Sequence, residues 1–161
     1  MKLRYLAILL VSLLIFHSCK DQVEEFDPNA IEDKGPENSN IPYFVINSTG
    51  SIIDEPKTPA TLAVFVNQEL VFSNRIGIEL RGSTSRRLFP KKSFGIEFWD
   101  EAGEDISLEI LDFGKEEDWV LHGPYSDKTL LRNMLIYELS NAIGQYAVKT
   151  ALVELNVNNT F

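Results

Sequence analysis

Residues 75–99 read RIGIELRGSTSRRLFPKKSFGIEFW. Apolar and polar residues alternate from Arg75 to Arg81, which puts Ile76, Ile78 and Leu80 on one face of a strand and Arg75, Glu79 and Arg81 on the other. The alternation returns from Lys92 to Trp99, with Phe94, Ile96 and Phe98 inward. Lys92 shares the parity of those three, so strand geometry turns it toward the core side, while Lys91 and Ser93 point the other way. Between the strands, Arg81 to Ser93 carries five cationic side chains and no acid, in a chain whose formal net charge is −9. A basic turn rich in Gly and hydroxyl residues is suited to meet an anion such as a phosphate. The plainer reading is a solvated hairpin tip.

Working outward, Tyr43–Ile46 and Leu62–Val66 read as core strands, and Leu70–Phe72 as another or a continuation after a turn at Asn67-Gln68. Beyond the hairpin, residues 97–118 hold ten acids and one base, a solvated connector with a weak strand or turn at Ser107–Leu111. Asp112-Phe113-Gly114 matches the metal-binding tripeptide of protein kinases by letters, but no catalytic loop precedes it. Nor do the acids keep the spacing of a twelve-residue calcium loop.

Trp119-Val120-Leu121 is an apolar anchor, followed by the turn Gly123-Pro124-Tyr125. Asp127 is a natural N-cap for the one strong helix and Gly144 its stop. Helical phase gathers Leu131, Leu135 and Ala142 on one face beside Met134 and Leu139, with Glu138 near its middle. A carboxylate buried there needs a cation, and Lys92 or Arg132 could supply it. Ala151–Val157 reads as a further strand, and Asn158-Asn159 as the turn that starts its hairpin partner. The expected fold class is therefore α+β, an antiparallel sheet with one main helix. Because the sequence stops two residues after that turn, a truncated domain is expected.

The first forty residues differ in kind. Lys2 and Arg4 precede an apolar run from Leu6 to Phe16 that is too short to span a bilayer and reads as a secretory signal. Ser18-Cys19 after it resembles a bacterial lipobox, which predicts a signal peptide at residues 1–18 and a lipid anchor on Cys19. Residues 20–40 carry seven acids against two bases and are expected to form a disordered tether, residues 41–161 the folded part. The tether's acidic start resembles export signals of surface lipoproteins, so the expected location is the bacterial cell envelope, lipid-anchored, with exposure on the outer-membrane surface as an option. Cys19 is the only cysteine, so no disulfide can form within the chain, and His122 is the only mature histidine, which rules out a multi-histidine metal site. The acidic balance argues against nucleic acid as a partner.

Arg81-Gly82-Ser83-Thr84-Ser85, Pro90-Lys91-Lys92-Ser93-Phe94, Asp118-Trp119-Val120-Leu121, Gly123-Pro124-Tyr125-Ser126-Asp127-Lys128 and Leu131-Arg132-Asn133, in this order, resemble the spore-coat protein H (CotH) kinase family. The resemblance implies the N-terminal lobe of an atypical kinase-like fold that uses ATP and a divalent metal to phosphorylate protein hydroxyls. It makes Lys92 the phosphate-contacting lysine and Glu138 its helix partner. Arg81 and Lys91 become further phosphate ligands, and Ser83 and Ser85 donors in the loop. The family's catalytic aspartate and metal-binding acids belong downstream of the hairpin that Asn158-Asn159 begins, so inactivity of this stretch alone is expected. A reading from another class is a noncatalytic surface module for adhesion or glycan binding, with Trp99 and Tyr125 as candidate sugar-stacking rings.

Overall fold

The computed structural model describes residues 27–160. The expected signal peptide and Cys19 lie outside them. The framework is a curled six-stranded sheet made of β1 (Tyr43–Ser48), β2 (Thr58–Val66), β3 (Glu69–Arg81), β4 (Ser93–Phe98), β7 (Asp118–Leu121) and β8 (Glu154–Val157). Their spatial order is β7-β4-β3-β2-β1-β8. A small hairpin of β5 (Leu108–Glu109) and β6 (Lys115–Glu116) sits in the acidic connector. Among the described residues the α-helices are α1 (Thr84–Leu88), within the basic stretch, and α2 (Arg132–Ala142). The Asp112-Phe113-Gly114 tripeptide is the turn between β5 and β6: Asp112 and Gly114 take positive φ, and the Phe113 ring lies 5.8 Å from Trp119.

The alternating pattern decides which face is buried. Ile76 stands opposite Phe98 and Ile78 opposite Ile96, all four fully enclosed with Leu62, Val64, Phe44 and Ile46. β3 is one 13-residue strand, so Leu70–Phe72 belongs to the same element as Arg75–Arg81. Asn67 and Gln68 both take positive φ, as a two-residue hairpin turn requires.

Four consecutive residues, Tyr43 to Ile46, are all buried. β1 is thus covered on both faces, the usual origin of an unbroken apolar run. On its second face Tyr43, Val45, Ala63 and Phe65 form a smaller cluster, closed by Leu70 and Ile31. The expectation that residues 20–40 form a loose tether therefore does not hold for 27–40. Ile31 supplies apolar cover that these side chains need, and a Cβ on Gly35 would lie only 2.7 Å from the Tyr43 ring. Tyr43 donates its phenolic hydrogen to Asp33 Oδ2 at 2.6 Å, and Gln68 Nε2 donates to the Gly35 carbonyl at 3.1 Å.

Two further differences from expectation concern the last third of the chain. The sheet is mixed, not wholly antiparallel, because β8 runs parallel to β1 with Glu154 opposite Tyr43 and Asn156 opposite Val45. Parallel pairing needs a long crossover, and the chain between β1 and β8 contains all the remaining strands and α2. The helix α2 has no buried residue: Leu135, Ile136 and Leu139 are each more than half exposed. Its C-terminus is nonetheless well formed. Gly144 at φ +81° donates to the Asn141 carbonyl and Gln145 to the Ser140 carbonyl, the paired bonds of a Schellman motif.

The hydrogen bond from Tyr43 is the main reason that the Asp33 carboxyl sits below its ordinary value of 3.8, aided by the Gly35 amide. A depressed carboxyl stabilises the fold above its unfolded pKa and loses that contribution as pH falls through its folded value. Tyr43→Phe should lower the unfolding free energy by about 1–2 kcal/mol at pH 7. Urea titration should show the gap from wild type narrowing below pH 4.

Candidate phosphate-facing site at the β3–β4 tip

The basic stretch is built on the last rungs of the β3–β4 ladder, where Leu80 pairs with Phe94 and Arg81 with Ser93. Where a simple hairpin tip was expected, the chain turns through Gly82 at φ +94° and forms the one-turn helix α1. Ser85 Oγ fills the space that a Cβ on Gly82 would take, which leaves glycine as the residue that fits. Ser83 stands at the start of α1 without a side-chain cap bond.

Lys92 closes this loop. Its Nζ donates to the Arg86 carbonyl at 2.6 Å and the Phe89 carbonyl at 2.7 Å, two acceptors at the end of α1. Parity had turned Lys92 inward, and the half-buried ammonium is satisfied by backbone in the loop that it terminates. Arg86 forms an ion pair with Asp54 from the β1–β2 connection. Arg81, Arg87 and Lys91 remain exposed at the tip with Ser83, while Ser85 is half-buried.

A second loop locks against the first. The Gly123 amide donates to Ser93 Oγ at 2.9 Å, and a Cβ on Gly123 would collide with the Lys92 carbonyl. The Phe89 and Tyr125 rings pack with centroids 5.2 Å apart, and Lys128 Nζ lies 5.7 Å from the Tyr125 centroid. Nothing in the alternating pattern revealed this ring pair. The available signal was Phe89 itself, a large apolar residue in a cationic loop with no strand to carry it into the core. Asp127 then organises the entry to α2: Oδ1 accepts from the Thr129 amide at 3.0 Å and Oδ2 from the Arg132 amide at 2.9 Å. The expected N-cap thus satisfies the first helical amide across an intervening turn, with Leu130 at φ +62°, and the helix begins at Arg132. The Arg132 amide is the chief reason that the Asp127 carboxyl lies below its ordinary value.

The structure therefore brings together Arg81, Ser83, Ser85, Lys91 and Lys92, and joins them to the Gly123–Lys128 turn. It does not bring Glu138 to Lys92. Among the described residues the ion pairs are Lys57–Glu97, Arg86–Asp54 and Arg132–Asp127. Glu138 is exposed on α2, so the burial cost that called for a counter-charge does not arise.

The family model described as CotH kinase protein matches residues 78–161, just over half of the chain. The chain belongs to the CotH kinase family. Within the matched region fall β4, β7, both helices, β8 and the end of β3, hence the whole tip. No curated protein and no solved structure matches the chain.

The geometry assigns Lys92 a structural task that any ligand at the tip must accommodate. Lys92→Met should cost about 1.5–3 kcal/mol through two carbonyls losing a charged donor. Hydrogen exchange should quicken at residues 84–92 and stay unchanged in β1 and β2. Gly123→Ala should destabilise by about 1–3 kcal/mol, because the new methyl meets backbone rather than a movable side chain. Thermal unfolding checks it.

Proposed function

We propose that this CotH-family chain supplies the phosphate-binding surface of an ATP-dependent protein kinase, in a lobe that covers the nucleotide as a kinase N-terminal lobe does. The observation that carries the reading is the rigid tip: Arg81, Lys91 and Arg87 stand exposed around Ser83 on a loop held by Lys92, Ser93, Phe89 and Tyr125. Cations and hydroxyls carried on a braced loop at a strand end can meet a triphosphate without the backbone first being ordered. Arg offers a planar fork of donors and Lys a point charge, so Arg81 and Lys91 are suited to different phosphate oxygens. Lys92 retains one further N–H beyond its two carbonyl bonds, enough to add a contact while still holding the loop.

Phosphoryl transfer also needs carboxylates that hold metal ions and a base that positions the hydroxyl. Among the described residues no group of three or more His, Cys, Asp or Glu is arranged to hold a metal. The role proposed for residues 41–161 is nucleotide capture. Cys19, as a lipid anchor, would keep this activity at the cell envelope.

A noncatalytic glycan-binding role is less well supported. The Trp99 ring fills the space over Gly77 and its indole N–H donates to Glu97 at 3.0 Å, while Tyr125 is engaged with Phe89. Trp99 is therefore not an open stacking platform, and Tyr125, 43% exposed, offers only the part of its ring that Phe89 leaves free.

Titration calorimetry of the full chain with ATP, ADP and AMP tests the reading. Affinity should fall as phosphates are removed, and the Arg81→Ala/Lys91→Ala pair should weaken ATP at least about tenfold with little change in melting temperature. Equal affinity for AMP and ATP, or no loss in the double variant, contradicts it. Cys19→Ala should release the protein from membranes on fractionation, and mass spectrometry should find acyl chains on Cys19 of the wild type only.

A further inference from the structure

The basic tip carries an apolar side chain that the packing does not use. Leu88, the last residue of α1, is 67% exposed and belongs to neither packed cluster. One exposed leucine is ordinary on a protein surface. This one stands between Arg87 and Lys91, on a loop braced by Lys92 and by the Phe89–Tyr125 contact. Arg86 is taken by Asp54 and Lys92 by two carbonyls, which leaves Arg81, Arg87 and Lys91 exposed and outside the ion pairs found among the described residues. The β1–β2 connection runs beside them, its Ile53 carbonyl accepting from the Leu80 amide at 2.7 Å, and Ile53 is itself 45% exposed. The acids of that connection are Asp54, offset by Arg86, and Glu55, which the three exposed cations outnumber.

Topology decides where this tip stands. β1, β3 and β8 run in the same direction, and Ala60 pairs with both Ser48 and Ile76. β3 therefore continues from Gly77 to Arg81 past the end of β1, roughly 17 Å of strand, and the tip projects from that end of the sheet. Asp27, where the chain from the expected lipid anchor joins the fold, lines a cleft with Asn47, near the end of β1, and Asn159, past the end of β8. Because 27–35 packs on the sheet, the link from Cys19 to Asp27 is only eight residues and spans at most about 28 Å. An unpacked chain as far as residue 41 would reach roughly 75 Å. A bilayer holding Cys19 is thus kept near the end of the sheet that carries the cations. In a chain of net charge −9, an anionic bilayer repels most of the surface and attracts this tip, which selects one orientation.

We propose that the α1 tip docks on the anionic bilayer that holds the lipid anchor, with Leu88 entering the interface and Arg81, Arg87 and Lys91 meeting lipid phosphates around it. A leucine ringed by cations gains from both parts of such a surface, the acyl boundary and the headgroups. Nucleotide and bilayer share Arg81 and Lys91, whereas Leu88 serves the bilayer alone. The docking does not rest on nucleotide binding.

The test follows the Leu88 methyl resonances of the full-length, lipid-anchored chain in nanodiscs that contain a spin-labelled lipid. Discs of phosphatidylethanolamine and phosphatidylglycerol should broaden the Leu88 methyls and leave those of Ile78, in the core, sharp. Discs of phosphatidylcholine should leave Leu88 sharp as well. Arg87→Gln should lower the docked-to-undocked ratio about fivefold, the share of one cation at an anionic surface. Leu88→Gln should lower it about tenfold, read at the Lys91 amide. Both residues are exposed, so neither variant threatens folding. Leu88→Gln should bind ATP as the wild type does, and docking that persists in a chain unable to bind ATP supports the proposal equally. No broadening at Leu88 on anionic discs overturns it, as does equal broadening on neutral discs or broadening centred on Leu135, Leu139 and Ile143. Weakened ATP binding by Leu88→Gln also overturns it, since that result places Leu88 at the nucleotide.

Discussion

The register between β3 and β4 is the constraint on which the rest of the molecule depends. Setting Ile76 against Phe98 and Ile78 against Ile96 buries both pairs, and a slip of β4 by one residue would turn Phe98 and Ile96 to the other face of the sheet. The same register ends with Arg81 opposite Ser93, which decides where the basic loop begins, which lysine turns inward and which serine receives the Gly123 amide. Packing in the core and chemistry at the tip are thus set by one alignment of two strands.

That alignment also explains why the tip is stiff although it is polar. Lys92 ties two carbonyls at the end of α1, Arg86 reaches Asp54, and Phe89 packs on Tyr125, so three separate interactions hold a loop of about ten residues. Under the proposed nucleotide-binding role, contacts of this kind would remove part of the ordering cost that ligand-binding loops otherwise carry. The far edge of the sheet uses a different device. There the 27–35 segment covers an apolar face through Ile31 and is held to it by the bond from Tyr43 to Asp33.

Much of this was legible from residue order. Period-two alternation gave both strands of the central hairpin and the inward parity of Lys92. Glycine and asparagine chemistry gave the turns at Asn67-Gln68 and Asn158-Asn159 and the end of α2, because those positions need positive φ. The order of five short motifs gave the family. Residues 27–40 were misread because composition records charge but not the single Ile31 that a two-sided strand requires. The Lys92–Glu138 pair was misplaced for a related reason: helical phase identifies an apolar face without saying what covers it, and α2 lies exposed. The parallel pairing of β8 depends on a crossover of more than a hundred residues, and no local pattern encodes that.

The central claim is that phosphates meet the rigid tip formed by the β3–β4 turn and the loop packed on it. Hydrogen exchange of the full-length chain with and without a nonhydrolysable ATP analogue tests this most directly. The account predicts added protection confined to residues 81–93 and 122–128. Unchanged exchange there, or protection centred on another part of the sheet, would contradict it.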